Sequence, residues 1–223
     1  MSGTTIAEQV GEIKQQSAGA PQDASASVFA HEQEELARGG VPTGIPPAGS
    51  VLPDAELQGA DGAPRLLSQA VGDGFAVLVF YRGAWCPYCN IALQTYQAEL
   101  LPALSRRGVR LVAISPQSPD GSLTMREKHE LEFAVLSDPG NTLAKAAGIL
   151  TEPSAEVREA QLGLGLDLTA ANADGTAGIP MPTTAIVDAA LTIRWIDVHP
   201  DYTTRSEPEQ ILAALDGILA GHG

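Results

Sequence analysis

The residues of this chain that are best suited to chemistry are its two cysteines, Cys86 and Cys89, which are separated by two residues. A thiol pair at this spacing is typical of a metal site or of a redox site that closes into a disulfide and reopens. A zinc site needs about four ligands. There is no second cysteine pair, and the four histidines are scattered along the chain. We therefore expect a redox role, with no metal and no other cofactor.

The surrounding sequence predicts where this pair lies. The apolar run from Phe75 to Tyr81 is typical of a buried strand, and the residues from Ile91 to Leu101 have helical periodicity. Pro87 suits the first position of that helix. The unpaired N–H groups and the dipole at a helix start favour a thiolate. Cys86 is nearer to this start and is expected to be more exposed, so this argument favours Cys86 as the attacking thiol.

Two neighbours of the pair are candidates for supporting roles. Arg82 is close enough in sequence to add positive charge near a thiolate, although an exposed arginine at the corner is an equal alternative. Trp85 is interpreted as packing and shielding the site rather than contacting a substrate.

The overall charge excludes several partners. The formal net charge is −14, with 13 basic and 27 acidic residues, whereas nucleic acids and anionic membranes require a basic surface. No stretch approaches the roughly 20 apolar residues of a membrane-spanning helix. Residues 1–16 include Glu8, Glu12 and Lys14 where a signal peptide would need an apolar core. We expect a cytoplasmic protein, in which a structural disulfide is uncommon.

The pattern of elements divides the chain in two. Residues 1–48 are predicted to form a helical extension followed by a Pro/Gly-rich linker, and residues 49–223 an α/β domain. For residues 152–178 we favour a connecting insertion over a lid. Residues 201–205 are expected by default to form an ordered surface loop, with substrate orientation or a subunit contact through Tyr202 and Arg205 as the alternatives. Ser206 is expected to cap the last helix.

The cysteine motif resembles that of known redox proteins. The segment Trp85-Cys86-Pro87-Tyr88-Cys89 is similar to the active-site loop of thioredoxin-fold proteins, and its Pro-Tyr centre is similar to that of glutaredoxins. Met181-Pro182-Thr183 resembles the cis-proline loop of that fold, which faces the cysteines, and Pro180 is a competing candidate. The resemblance implies that Pro87, Tyr88, Pro182 and Thr183 support the site, with Cys86 attacking and Cys89 resolving.

A wider resemblance, over about residues 49–219, is to the peroxiredoxin-like branch of the alkyl hydroperoxide reductase and thiol-specific antioxidant group. The matching segments are Leu52–Leu57, Phe80–Gly83, Val112–Gln117, Phe133–Gly140 and Thr184–Asp188. The resemblance implies a thioredoxin-like fold of peroxiredoxin type, with a central mixed sheet, helices on both faces and the N-terminal helical extension added.

The peroxiredoxin motif P-x-x-x-[TS]-x-x-C gives a different assignment of the two sulfurs. When it is laid on this chain without a gap, the attacking cysteine falls on Cys89, the Thr on Cys86 and the Pro on Arg82. The peroxide-binding arginine of the family falls on Pro182. The two resemblances therefore leave the attacking thiol open, and the missing Thr and Arg imply slower peroxide reduction unless Arg82 compensates.

The sequence is consistent with three different functions. The leading hypothesis is a cytoplasmic antioxidant oxidoreductase that reduces hydroperoxides through a Cys86–Cys89 dithiol and disulfide cycle, recharged by thioredoxin, glutaredoxin or a low-molecular-weight thiol. The alternative is a disulfide reductase acting on a protein or small-molecule disulfide. The third is a binding module without turnover. A homodimer is among the assemblies that the resemblance allows, and neither nucleic acid nor membrane is an expected partner.

Overall fold

The computed structural model describes residues 4–18 and 24–221, and these form a layered α/β structure. The helices are α1 (Ile6–Ala18), α2 (Ala24–Gly39), α3 (Leu67–Val71), α4 (Pro87–Thr95), α5 (Leu101–Ser105), α6 (Pro119–Lys128), α7 (Thr142–Ala146), α8 (Ala155–Gly163), α9 (Leu168–Ala171) and α10 (Pro208–Ala220). The strands are β1 (Glu56–Gly59), β2 (Pro64–Leu66), β3 (Ala76–Phe80), β4 (Arg110–Ser115), β5 (Ala134–Ser137), β6 (Leu150–Thr151), β7 (Ile179–Pro180), β8 (Thr183–Val187) and β9 (Ile193–Val198).

Seven of these strands form the predicted mixed sheet, in the order β2-β1-β5-β4-β3-β8-β9. Strands β3, β4 and β5 are parallel, while β1 and β8 run antiparallel to their neighbours β5 and β3. Strands β6 and β7 pair separately as a short antiparallel ribbon. The strand predicted at residues 75–81 is therefore β3, an interior strand between β4 and β8, and every residue of it is buried.

Helices cover both faces of the sheet, as expected. Alternate residues of β3 point to opposite faces. Val77 and Val79 pack into the core beneath α1, α4 and α10. Leu78 and Phe80 pack into the other core, to which α3 and α7 contribute. Both faces of β3 are thus dry, which explains its continuous apolar sequence.

The N-terminal extension packs onto the first of these cores. Ile6 and Val10 of α1 are only 1% and 5% exposed and belong to the same apolar cluster as Leu93 of α4. The carboxylate of Glu207, at the start of α10, accepts hydrogen bonds from the first backbone N–H groups of α1, those of Ile6 (3.0 Å) and Ala7 (2.9 Å). The division at residues 48 and 49 stays a prediction, but α1 shares its core with the α/β domain.

Three local predictions are refined. The helix after Cys89 widens into a π-helical turn at Tyr96–Leu100 and resumes as α5, with Pro102 in its first turn, where its missing N–H costs nothing. Residues 152–178 contain α8 and α9, and α9 packs toward Trp85 through Leu168. The last helix is capped at Glu207 rather than at Ser206, because the backbone N–H of Glu207 bonds the Gln210 side chain.

Replacing Ile6 by alanine tests whether the extension belongs to the folded core. The change removes buried methyl and methylene groups, so the free energy of unfolding should fall by about 2–4 kcal/mol in urea titrations. Leu162→Ala is the control, because Leu162 is 57% exposed and its loss should cost less than about 0.5 kcal/mol. An equal effect of the two changes would mean that α1 does not contribute to the stability of the core.

Candidate active site

The two cysteines lie at the junction between β3 and α4, as the sequence predicts. Cys86 is the N-cap of α4 with extended backbone (φ −88°, ψ 113°), and Pro87 opens the helix. The expectation that Cys86 is the more exposed thiol is wrong, since Cys86 is 1% and Cys89 0% exposed. Segments that are distant in sequence cover this junction, and the pattern around the cysteines gives no sign of them.

The loop before Cys86 is held by side chains from two directions. Gln117, just after β4, accepts a hydrogen bond from the backbone N–H of Ala84 (2.5 Å), and Asn90 of α4 donates to the Ala84 carbonyl (3.1 Å). At Gly83 an added Cβ would collide with the Trp85 indole and lie 3.0 Å from Gln117 Cδ. The close turn therefore requires glycine at this position, and it fixes where α4 begins.

The structure places an arginine from the far end of the chain against one of the thiols. Arg205 Nη2 donates to Cys89 Sγ at 3.0 Å, although the two residues are 116 positions apart. Arg205 Nη1 donates to the carbonyl oxygens of Tyr202 (2.7 Å) and Thr204 (2.5 Å). The prediction of a surface loop at residues 201–205 is therefore wrong for these side chains: Arg205 is 7% and Tyr202 8% exposed.

This arrangement makes the two thiols unequal. Burial by itself raises the pKa of Cys89, but a hydrogen bond from the Cys86 thiol and the Arg205 guanidinium outweigh it and hold that pKa well below its usual value. The backbone amide and the charge of Arg82 act in the same direction. Burial and the hydrogen bond with Cys89 raise the pKa of Cys86. The electrostatics favour Cys89 as the thiolate, against the preference for Cys86 that helix position alone suggests.

Arg82 is part of the site and not an exposed corner residue. It is 6% exposed, and its guanidinium carbon lies 4.1 Å from the centroid of the Tyr202 ring and 5.0 Å from that of Trp85. Contacts of this kind stabilise a buried cation. Burial raises the pKa of Tyr202 to about 12, so its hydroxyl stays protonated at neutral pH. The positive charge of Arg82 lowers the pKa of both thiols, as a smaller effect than burial.

The other residues of the cysteine motif form the rim of this site. Trp85 is half-buried and packs against the cluster of Leu168 and Ile179, in agreement with its predicted packing role. Pro87 is exposed at the start of α4. Tyr88 is half-buried, with its ring centroid 6.3 Å from that of Tyr202.

Thr183 is the first residue of β8, the strand next to β3, and Pro182 directly precedes it. The described residues contain no cis peptide bond, so the cis-proline expectation is wrong for both Pro182 and Pro180. Pairing of β8 with β3 begins directly at Thr183, opposite Phe80, on extended backbone that a trans bond continues. Pro182 lines a void of about 10 Å³ together with Arg82, while the Thr183 hydroxyl donates to the Met181 carbonyl at 2.9 Å.

Behind Arg205 lies a polar cluster that joins the end of β9 to the start of α10. Ser206 Oγ donates to Asp197 Oδ2 at 2.8 Å, and His199 Nε2 lies 3.1 Å from the same oxygen. The hydrogen bond with His199 is the main reason why the pKa of Asp197 is lowered. His199 therefore acts as a packed structural residue rather than as a base for the thiols.

Within residues 4–18 and 24–221, no group of three or more His, Cys, Asp or Glu side chains is placed to hold a metal ion. None of the helices described here is long and apolar enough to cross a membrane.

Comparison with known proteins adds a family and a set of structural neighbours. Residues 48–196 match the model of the AhpC/TSA family. A search among proteins of curated function found no significant match. Among solved structures, peroxidoxin BcpB from Mycobacterium tuberculosis is 23% identical, with a TM-score of 0.59 over 77% of this chain and 97% of that chain.

Two further structures have similar folds. Reduced Prx3 from Vibrio vulnificus, in complex with H₂O₂, has a TM-score of 0.62 and 21% identity over 77% of this chain and 99% of that one. AhpC from Enterococcus faecalis has a TM-score of 0.59 and 16% identity over 79% of this chain and 95% of that one. At sequence identities this low, the structural similarity shows that the chain shares the fold of these proteins and nothing more. Arg205 and residues 4–40 lie outside the matched family segment.

Replacing Arg205 by methionine tests its contact with Cys89. An opposite charge within hydrogen-bond distance lowers a pKa by about 1–3 units. Its loss should therefore raise the Cys89 pKa by at least about one unit, measured as thiolate absorbance in a Cys86→Ser background. Arg107→Met is the matched control, because Arg107 pairs with Asp216 on the surface (2.9 Å) and its loss removes the same charge. An unchanged Cys89 pKa in Arg205→Met would contradict the assignment.

Proposed function

We propose a function for this chain from the premise that it belongs to the AhpC/TSA family of thiol peroxidases. In this proposal the protein reduces hydroperoxides, with Cys89 as the attacking thiolate and Cys86 as the resolving thiol. The observation on which this rests most is the 3.0 Å contact between the Arg205 guanidinium and Cys89 Sγ. A peroxidatic sulfur must be ionised, and a positive charge that is fixed beside it in a dry site favours that form.

In the first step the Cys89 thiolate attacks the terminal oxygen of the hydroperoxide. The O–O bond breaks, Cys89 becomes a sulfenic acid, and the alkoxide or hydroxide that leaves takes up a proton. Negative charge develops on the leaving oxygen. Arg205 and Arg82 are the cations that lower the Cys89 pKa and are candidates to stabilise this charge. Together they would replace the hydrogen-bond donors of the family's Thr and Arg, whose positions in this chain hold Cys86 and Pro182.

In the second step Cys86 resolves the sulfenic acid. The two thiols are within hydrogen-bond reach of each other, so the Cys86 sulfur can attack the Cys89 sulfur, displace water and form the disulfide. The raised pKa of Cys86 suits this order, because Cys86 stays protonated until Cys89 has reacted. Two electrons from a dithiol such as thioredoxin or glutaredoxin, or from two low-molecular-weight thiols, then restore both thiols.

Burial favours a small oxidant over a protein disulfide. Both thiols are at most 1% exposed, so a protein disulfide could reach either sulfur only if the residues that cover the site moved apart. A hydroperoxide enters such a site with far less rearrangement than a protein. The Vibrio structure with H₂O₂ bound is a relative of the same fold that accepts this oxidant.

The disulfide reductase remains the second candidate. It is favoured by the position of Cys86 as the N-cap of α4 with Pro87 after it, since a thiol at a helix start is activated by the backbone N–H groups. The same thiols would serve both reactions, and the cytoplasmic location, the thiol donor and a homodimer belong to the proposal in either case.

Peroxide consumption by the purified protein with a dithiol donor tests the proposal. Wild-type protein should turn over H₂O₂ and afterwards lack two hydrogen atoms by mass when the donor is exhausted. Cys89→Ser should lose turnover completely. Without the donor, Cys86→Ser should consume one equivalent of peroxide and stop at a sulfenic acid that a dimedone probe captures, because a dithiol would itself reduce that sulfenic acid.

The controls separate the three functions. Turnover of a model disulfide with none of H₂O₂ would support the reductase in place of the peroxidase. If oxidation forms no intramolecular disulfide and neither substrate is consumed, the chain is a binding module. Loss of activity in Cys86→Ser with full single-turnover reactivity in Cys89→Ser would reverse the assignment of the two sulfurs.

A further inference from the structure

The loop that carries Arg205 is fastened from outside by the N-terminal extension. Lys14 Nζ of α1 donates to Thr203 Oγ1 at 2.8 Å. Gln33 Nε2 of α2 donates to Asp201 Oδ1 at 3.0 Å and lies 3.4 Å from Thr203 Oγ1. The hydroxyl of Tyr202 donates to the carbonyl of Phe29 at 3.3 Å. Every residue from 201 to 203 therefore bonds to α1 or α2.

The far end of this loop is also tied to the extension. Glu207 accepts hydrogen bonds from the backbone N–H groups of Ile6 and Ala7, at the start of α1. Arg205 lies between these two attachments. Its guanidinium bonds the loop carbonyls of Tyr202 and Thr204 on one side and Cys89 Sγ on the other.

A flexible loop does not hold a guanidinium within 3.0 Å of a sulfur unless its backbone is fixed. Within the loop, Asp201 bonds the backbone N–H of Thr203 (2.9 Å) and its hydroxyl (2.7 Å). Thr203 is 2% exposed, so its hydroxyl is a buried acceptor, and among the described residues Lys14 and Gln33 of the extension reach it from outside the loop. Removing that contact would leave a buried polar group with fewer partners and loosen the backbone next to Arg205.

We propose that α1 and α2 are a working part of the thiol site, because their contacts with residues 201–207 hold the Arg205 guanidinium against Cys89, with Gln33 and Thr203 as positioning residues. The expected effect on the reaction with H₂O₂ rests on the proposed peroxidase function, whereas the expected effect on the Cys89 pKa does not depend on it. The extension and the Arg205 loop both lie outside the matched segment 48–196, whereas Cys89 lies within it.

Gln33→Ala and Thr203→Val test this without changing any charge. Each removes a neutral hydrogen-bonding group, so a shift in thiol ionisation can arise only through the position of groups that remain. The charged neighbours of Cys89, which are Arg205 and Arg82, stay in place in both variants. Each variant should raise the Cys89 pKa, measured by thiolate absorbance in a Cys86→Ser background, and slow the single-turnover reaction with H₂O₂ by about tenfold.

Gln9→Ala is the matched control. Gln9 is also a half-buried glutamine of the extension, but its amide bonds Thr95 Oγ1 of α4 (3.1 Å) and the Thr4 carbonyl (3.0 Å), away from the Arg205 loop. It should lower thermal stability without changing the Cys89 pKa. The combined Gln33→Ala/Thr203→Val variant should show a pKa shift smaller than the sum of the two single shifts, since both changes break the same attachment.

The outcomes separate this proposal from the peroxidase function. A raised Cys89 pKa in Gln33→Ala and Thr203→Val, with none in Gln9→Ala, supports the positioning role even if H₂O₂ is not turned over. Unchanged pKa values in both loop variants would overturn it, as would an equal shift in Gln9→Ala, which would indicate general loosening of the extension. If wild type has a low Cys89 pKa but consumes no peroxide, the peroxidase function fails and the positioning role stands.

Discussion

The contact between the Arg205 guanidinium and the Cys89 sulfur is the interaction on which the site depends. Both groups are almost fully buried, so each charge would be costly without the other. Burial disfavours the charge of Arg205, and the Cys89 thiolate compensates for this so that the pKa of Arg205 is raised. Because water is largely excluded, the attraction is weakly screened, and the ionised form of Cys89 is favoured at the expense of its neighbour Cys86.

Much of the remaining structure can be understood as holding that contact. The buried strand β3 leads into a tight loop at Gly83, and the loop sets the start of α4 and therefore the position of Cys89. Strand β9 and the cluster of Asp197, His199 and Ser206 set the path of the chain on either side of Arg205. Arg82 closes the remaining side, stacked between two aromatic rings.

The sequence predicts the local features of this site well. A continuous apolar run, a proline directly after Cys86 and a helical period are enough to place both cysteines at a strand-to-helix junction. They do not reveal what covers the junction. Arg205 bonds Cys89 across 116 residues, and that proximity results from the pairing of β8 with β3 and β9, not from any local pattern.

The same limit explains the remaining errors. Cys86 has the sequence position of an exposed thiol, but tertiary packing buries it as deeply as Cys89. Residues 201–205 are a short polar segment, as in a surface loop, yet α1 and α2 bond to residues 201–203, and Tyr202 and Arg205 are buried. The only sequence signal for Arg205 is its place just before the start of α10, in a chain with few basic residues. That signal is too weak to distinguish it from a solvated arginine.

The most direct test of this account is the pKa of each thiol by itself, measured by thiolate absorbance in the two single Cys→Ser variants, in which the serine hydroxyl keeps a hydrogen-bond donor. The account predicts that Cys89, in Cys86→Ser, ionises below the free-thiol value of about 8.5, and that Cys86, in Cys89→Ser, ionises above it. The reverse order, with Cys86 ionising at the lower pH, would contradict it.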